Sequence, residues 1–240
     1  MLNKNYEELF CMSLNLNIER IRVVHKALGS MQDEVVYIGG ATVGLYADRM
    51  TEEVRPTKDV DIVVEVWAYK DYGKIEETLR EQGFENVQEG NVICRYKVNE
   101  VIVDIMPTGE NVVGFSNRWY GAGFKQAVEY QVDDATTVNI FSAPYFIAAK
   151  LEAYKSRGNN DGRLSHDFED IVYILENRST IWDEMTNASG DVTLYLKEEF
   201  GTLLEHPYFE EWVDSHTGYG SPPATSLIIQ NLERFVNQGR

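Results

Sequence analysis

The chain has 240 residues, of which 43% are hydrophobic and 25% charged, with 14 Tyr, 10 Phe and 4 Trp. That composition excludes a disordered chain and suffices for one or two packed domains. The balance of 39 acidic against 22 basic side chains, a formal charge of -17, repels a polyanion over most of the surface and argues against long duplex DNA as a partner.

At physiological salt, charges more than about 8 Å apart are largely screened, so a local basic patch can still grip a short RNA end or a triphosphate. Cys11 and Cys94 are the only cysteines and have no metal-ligand spacing. No uninterrupted apolar run approaches the roughly 18 residues of a membrane span. The expectation is a cytoplasmic protein with reduced thiols and no membrane partner.

From the N-terminus, Ile18, Ile21, Val24 and Leu28 recur at helical spacing and Gly29 follows as a stop, which predicts a helix over Asn17–Leu28. EVVYI (34–38) reads as a strand that ends in Gly39-Gly40, after which ATVGLYADR resumes a helical pattern. DVDIVVEV (59–66) is β-branched and follows Pro56, and Tyr69–Gln82 is helical in composition, closed by Gly83. VICRYKV (92–98) and VIVDIM (101–106) predict a tight hairpin through Asn99-Glu100, and TTVNIF (136–141) a last short strand.

Beyond that strand the pattern turns helical, over 144–157, 166–177, about 192–205 and about 225–237, with GYGSPPAT (218–225) as a loop. The reading is an α/β (α+β) fold: a mixed-sheet core over residues 1–142, then a helical domain over 143–240.

Asp59 and Asp61 are two apart in a strand, so their side chains leave one face. In VIVDIMP the same alternation puts Ile102, Asp104 and Met106 together. Ionised carboxylates about 4 Å apart repel by roughly 4 kcal/mol at an effective dielectric near 20, a cost tolerated mainly where divalent cations cancel it. Mg²⁺, or Mn²⁺, is the natural occupant of an all-oxygen site. Two such ions would serve an in-line phosphoryl displacement. Gly39-Gly40, between a strand and a helix, lets the backbone approach a phosphate, and GGATVG lacks the GxGxxG dinucleotide arrangement.

YIGGATVGLYADR, RPTKDVDIVVE and VIVDIMP together resemble the glycine pair, DxD and third-carboxylate motifs of the polymerase-β-type nucleotidyltransferases, in order and spacing. AAKLEAYKSR (148–157) and SHDFEDIVYIL (165–175) are similar to the lysine helix and Asp-xx-Asp helix of the AbiEii/AbiGii and MenA-like toxin nucleotidyltransferases. Those toxins commonly carry Lys-Asp where this chain has His166-Asp167.

The resemblance implies a polymerase-β-like core that transfers a nucleotidyl group from a nucleoside triphosphate such as ATP to an RNA 3′ end or a protein hydroxyl, with an antitoxin as a candidate partner. Asp59, Asp61 and Asp104 would be both catalytic and metal-binding. Gly39, Gly40, Thr57, Lys58, Lys150 and Arg157 would bind the nucleotide, with Arg49, Arg55, Asp167 and Asp170 as further candidates. Lys150 and Arg157 also share a helix face across Ala153, a setting for a triphosphate. The alternatives are a small-molecule, aminoglycoside-type nucleotidyltransferase and a catalytically idle nucleotide-binding module.

Overall fold

A computed structural model describes residues 3–48, 54–66, 69–87, 94–109, 112, 117–218 and 224–238; for 3–13 and 69–70 it describes the backbone alone. The chain divides into two compact units, Met1–Leu45 with Glu53–Ser142, and Tyr46–Glu52 with Ala143–Arg240.

In the first unit, α1 runs over Asn3–Leu28, β1 over Val35–Ile38 and β2 over Asp59–Val64, followed by α2 (Tyr69–Glu81), β3 (Glu85–Asn86), β4 (Arg95–Val98) and β5 (Val101–Pro107). Then come α3 (Tyr120–Lys125), β6 (Ala127–Asp133) and β7 (Thr136–Phe141). Among the described residues the strands form one seven-stranded sheet in the order β3-β4-β5-β2-β1-β7-β6. It is mixed: β2 is parallel to β5 and β1 to β7, while β1/β2, β3/β4, β4/β5 and β6/β7 are antiparallel.

The central strands carry β-branched residues on the buried face, and Val60, Ile62, Val103 and Ile105 are fully buried. Ile21, Val24 and Leu28 of α1 are fully buried as well, as their spacing requires. On α2, Tyr72 is buried and donates its hydroxyl to the Ile105 carbonyl at 2.9 Å.

Three differences from the sequence expectation bear on the first unit's architecture, beside the short β3 and α3, which were also not expected. The first helix is longer: no Gly or Pro interrupts residues 3–17, so one helix runs from Asn3 to Leu28 and ends where Gly29 takes φ +52°. After β1 the chain forms a 3-10 segment over Gly40–Tyr46 where a helical pattern was expected. Two glycines and the β-branched Thr42 and Val43 are poor α-formers, and the Thr42 amide and hydroxyl both close back on the Gly39 carbonyl, at 3.2 and 2.9 Å. The third difference is β6, a sheet edge that no expectation covered: its residues are half-buried or exposed, so the strand lacks a strongly apolar run.

The Asn99-Glu100 hairpin matches the expectation. Both residues take positive φ, 45° and 66°, the conformation of a two-residue turn matched to strand twist. Residues 92–93 of the strand expected there lie outside the described residues, as do 219–223 of the expected loop.

The second unit is helical among its described residues: α4 (Ala143–Arg157), α5 (His166–Asn177), α6 (Ile181–Asn187), α7 (Gly190–Leu204), α8 (Phe209–Asp214) and α9 (Ala224–Asn237). Ser165 caps α5, its hydroxyl accepting from the Phe168 amide at 3.3 Å. The short α6 and α8 were not expected, since one or two turns show too few periods to be read from sequence. Among the described residues no helix is long and apolar enough to cross a membrane.

Asn17 ties the helical and sheet parts of the first unit together. It is fully buried on α1, accepts from the Thr57 amide at 3.0 Å and the Thr57 hydroxyl at 3.3 Å, and donates to the Arg55 carbonyl at 3.2 Å. The segment entering β2 is thereby fixed. Asn17→Ala strands buried partners in Thr57 and Arg55 and is expected to cost about 2–3 kcal/mol, read as a shifted urea midpoint at unchanged slope.

Candidate active site

β2 and β5 run in parallel register with Asp59 opposite Ile102 and Asp61 opposite Asp104. Adjacent strands lie about 4.8 Å apart, so the side chains of Asp61 and Asp104 leave the same face as close neighbours. On the far side of β5, β4 pairs antiparallel and sets Arg95 opposite Asp104. β1 sets Ile38 opposite Asp61 and ends there, so Gly39 follows beside the acids. One line across the sheet therefore reads Ile38, Asp61, Asp104, Arg95.

Arg95 closes the arrangement. Its Nε donates to Asp104 Oδ1 and its Nη2 to Asp104 Oδ2, both at 2.8 Å, a two-pronged fork, and Nη2 also reaches Asp59 Oδ2 at 3.4 Å. The guanidinium pKa is raised, first by the hydrogen bonds to Asp104 and further by the charges of Asp104, Asp59 and Asp61, against a lowering by burial. All three acids thus act on one cation. The side chain of Asp104 is 14% exposed and that of Asp59 37%, so the pair with Asp104 is the less screened.

Arg95 was not among the residues singled out from the sequence, although the hairpin carries the signal. Counting back from a two-residue turn at Asn99-Glu100 pairs Arg95 with Asp104. Cys94, next to it, is buried, and its thiol is pushed up to about 11, mainly by burial and then by Asp104.

The donor set is chemically suited to a hard divalent cation, being carboxylate oxygens on one sheet face with no competing sulfur or imidazole among them. Among the described residues, no group of three or more Asp, Glu, His or Cys side chains is drawn together as a metal-holding cluster. A guanidinium nitrogen bridges Asp104 and Asp59, while the Asp61 carboxylate lies against Gly39.

Gly39 is where glycine is required. Its φ is +77°, and a Cβ there would stand 1.9 Å from Asp61 Oδ2 and 2.6 Å from Asp61 Cγ. Gly40 opens a 3-10 segment too short to carry much of a helix dipole, so any phosphate affinity here rests on backbone approach. Lys58 is exposed next to Asp59. Thr57 is buried, its amide and hydroxyl turned to Asn17 and its hydroxyl also to the Asp59 carbonyl at 3.0 Å. Arg55 is half-buried, and Arg49 lies outside the described residues.

In the second unit, Lys150, Arg157, Asp167 and Asp170 form one cluster. Lys150, 9% exposed, sets its Nζ 3.1 Å from Asp167 Oδ1 and 2.5 Å from Asp170 Oδ2. Arg157 donates to Asp167 through Nε at 2.7 Å and Nη2 at 2.8 Å. Two cations meet two acids, so the cluster is internally balanced. His166 stands outside it, its Nδ1 3.0 Å from Glu169 at the surface.

Burial alone would raise the pKa of Asp167, but the hydrogen bond from Arg157 and the charges of Lys150 and Arg157 outweigh it and the value is lowered. No protein-family model matches the chain, and no curated protein is detectably similar to it.

Two expectations follow. Gly39→Ala adds a left-handed backbone cost and forces Asp61 aside, for a loss of about 1–3 kcal/mol. Gly73→Ala, on exposed helical surface with nothing within 4 Å, should instead gain about 0.5–1 kcal/mol. Parallel denaturant melts check the opposite signs.

The second concerns pH. A carboxyl whose folded pKa is depressed stabilises the protein above its unfolded pKa and loses that contribution as pH falls through the folded value. Asp167→Asn should therefore cost about 3 kcal/mol at neutral pH, the lower end for a broken buried pair because Lys150 keeps Asp170. The difference from wild type should shrink below about pH 4. Urea midpoints followed across pH test this.

Proposed function

We propose that the chain is a metal-dependent nucleotidyltransferase that moves a nucleoside monophosphate from a nucleoside triphosphate to a hydroxyl acceptor. The observation that supports the reading is the placement of Asp59, Asp61 and Asp104 on one face of two adjacent parallel strands, beside a glycine at the end of β1 that admits no side chain.

Those three carboxylates would hold Mg²⁺ or Mn²⁺. Ions held there would neutralise the acids and supply Lewis-acid activation of the attacking hydroxyl and of the leaving pyrophosphate. In the transfer, the acceptor oxygen forms a bond to the α-phosphorus, the bond from that phosphorus to the pyrophosphate oxygen breaks, and the hydroxyl proton is released.

The protein supplies the rest through its own groups. The fully buried Val60, Ile62, Val103 and Ile105 fix the strands from behind, which holds the acids in register. Gly39 leaves room for the Asp61 carboxylate at the end of β1, and the exposed Lys58 would draw anionic oxygens toward Asp59. In the second unit, Arg157 and Lys150 are cations that an anionic ligand would have to win from Asp167 and Asp170.

The acceptor favoured by AAKLEAYKSR and SHDFEDIVYIL is macromolecular, an RNA 3′ end or a protein hydroxyl, with the chain acting as a toxin that an antitoxin restrains. The idle-module reading draws on a different observation, the fork of Arg95 on Asp104.

One experiment separates these readings. The protein is incubated with each labelled nucleoside triphosphate, Mg²⁺ and lysate, and its expression is induced in a bacterial host. Label is expected in RNA or protein, together with slowed growth. Asp59→Asn/Asp61→Asn is expected to cut transfer about 10²-fold or more and restore growth. Label confined to small molecules with harmless expression favours the aminoglycoside-type alternative. No transfer from any nucleotide leaves the idle module.

A further inference from the structure

The carboxylates of the candidate site meet a basic residue that no step of nucleotidyl transfer requires. Arg95 and Asp104 are a directly opposed cross-strand pair, and the guanidinium takes both oxygens of Asp104 at 2.8 Å while touching Asp59 at 3.4 Å. A bidentate fork takes one lone pair on each Asp104 oxygen, on the side that faces Arg95, and its positive charge opposes a divalent cation approaching the same carboxylate.

The sheet also explains why a cation is needed there without metal. Strand register fixes the backbones of Asp61 and Asp104 opposite one another with both side chains on one face, and Asp104 is largely withdrawn from water. Like charges held in that way destabilise the sheet unless something neutralises them. Arg95 has the reach to leave: its side chain is 27% exposed, and rotation about its side-chain bonds moves the fork without moving β4.

We propose that Arg95 is a built-in stand-in for the metal: it neutralises Asp104 and Asp59 in the metal-free protein and must swing away for a divalent cation to bind. The inference rests on the metal-site reading above and deepens it. Metal affinity is then a competition, lowered by the strength of the fork, and metal-free stability is raised by the same contact. One residue carries both effects with opposite signs.

The test uses the full chain and Mn²⁺ alone, without nucleotide. Mn²⁺ affinity is measured by the loss of the free-ion paramagnetic resonance signal, and melting temperature is read with and without Mn²⁺. For Arg95→Gln the proposal expects binding about tenfold tighter than wild type, equivalent to about 1.4 kcal/mol, together with a lower metal-free melting temperature and a larger Mn²⁺-induced rise.

Arg95→Lys keeps the charge and loses the fork, so it should bind at least about threefold tighter than wild type. Lys97→Gln removes a charge one repeat along the same strand and should change affinity by less than about twofold.

Arg95→Gln binding no tighter than wild type overturns the proposal. Wild-type affinity in Arg95→Lys overturns it as well, since the effect would then be one of net charge and not of occupancy. Binding by Arg95→Gln where wild type binds none supports it in its strongest form. Absence of Mn²⁺ binding in every variant, with all of them folded, defeats the metal-site reading itself, a result distinct from metal binding that Arg95 does not affect.

Discussion

Strand register between β2 and β5 is the constraint on which the first unit depends. Side chains on adjacent strands cannot choose their neighbours once the ladder is fixed, and here the ladder places Asp61 against Asp104. Shifting either strand by one residue would turn the acids inward and the fully buried Val60 and Val103 outward. The apolar face thus forces the acidic face. Two fixed carboxylates then need a counter-charge, which β4 supplies through Arg95.

The same logic explains why the support around these strands is polar and buried. Asn17 is fully buried on a helix whose other fully buried side chains among the described residues, Ile21, Val24 and Leu28, are apolar, and spends its amide on the backbone of Arg55 and Thr57. A leucine there would fill space and leave the chain entering β2 free to slide. Hydrogen bonds are directional where apolar contacts are not, so Asn17 fixes position as well as adding stability. Gly39 works at the other end of the site, because its missing side chain is the space that Asp61 occupies.

Much of this was legible in the residues, for reasons that differ by element. α5 could be bounded closely because Ser165 caps it and a 3.6-residue pattern fills it. The β4/β5 hairpin could be placed because two strand-like runs flank a two-residue gap. Asp59, Asp61 and Asp104 could be put on common faces by alternation alone, but their joint action on one cation depends on β2 lying next to β5, a non-local pairing that periodicity does not encode.

The structure of Gly40–Tyr46 escaped for the opposite reason: its apolar spacing imitates a helix, while its glycines and β-branched residues favour a tighter turn. Asn17 escaped because it was read as a helix start, where asparagine is common, when it lies deep inside a longer helix.

The second unit handles charge by another rule, and the contrast bears on how a strongly acidic protein can attract an anion at all. With a formal charge of -17, attraction must come from cations released locally, not from the overall field. Lys150 and Arg157 are held by Asp167 and Asp170, two cations against two acids, whereas in the first unit the Arg95 guanidinium faces Asp59 and Asp104 with Asp61 nearby. A matched buried pair contributes little net stability but is costly to break on one side only.

Within the second unit, an anion that took Lys150 or Arg157 would leave Asp167 or Asp170 buried without its partner, so matched charges select against bare anions there. Within the first unit the carboxylates outnumber the guanidinium they share, so the same reasoning favours an added cation over an added anion.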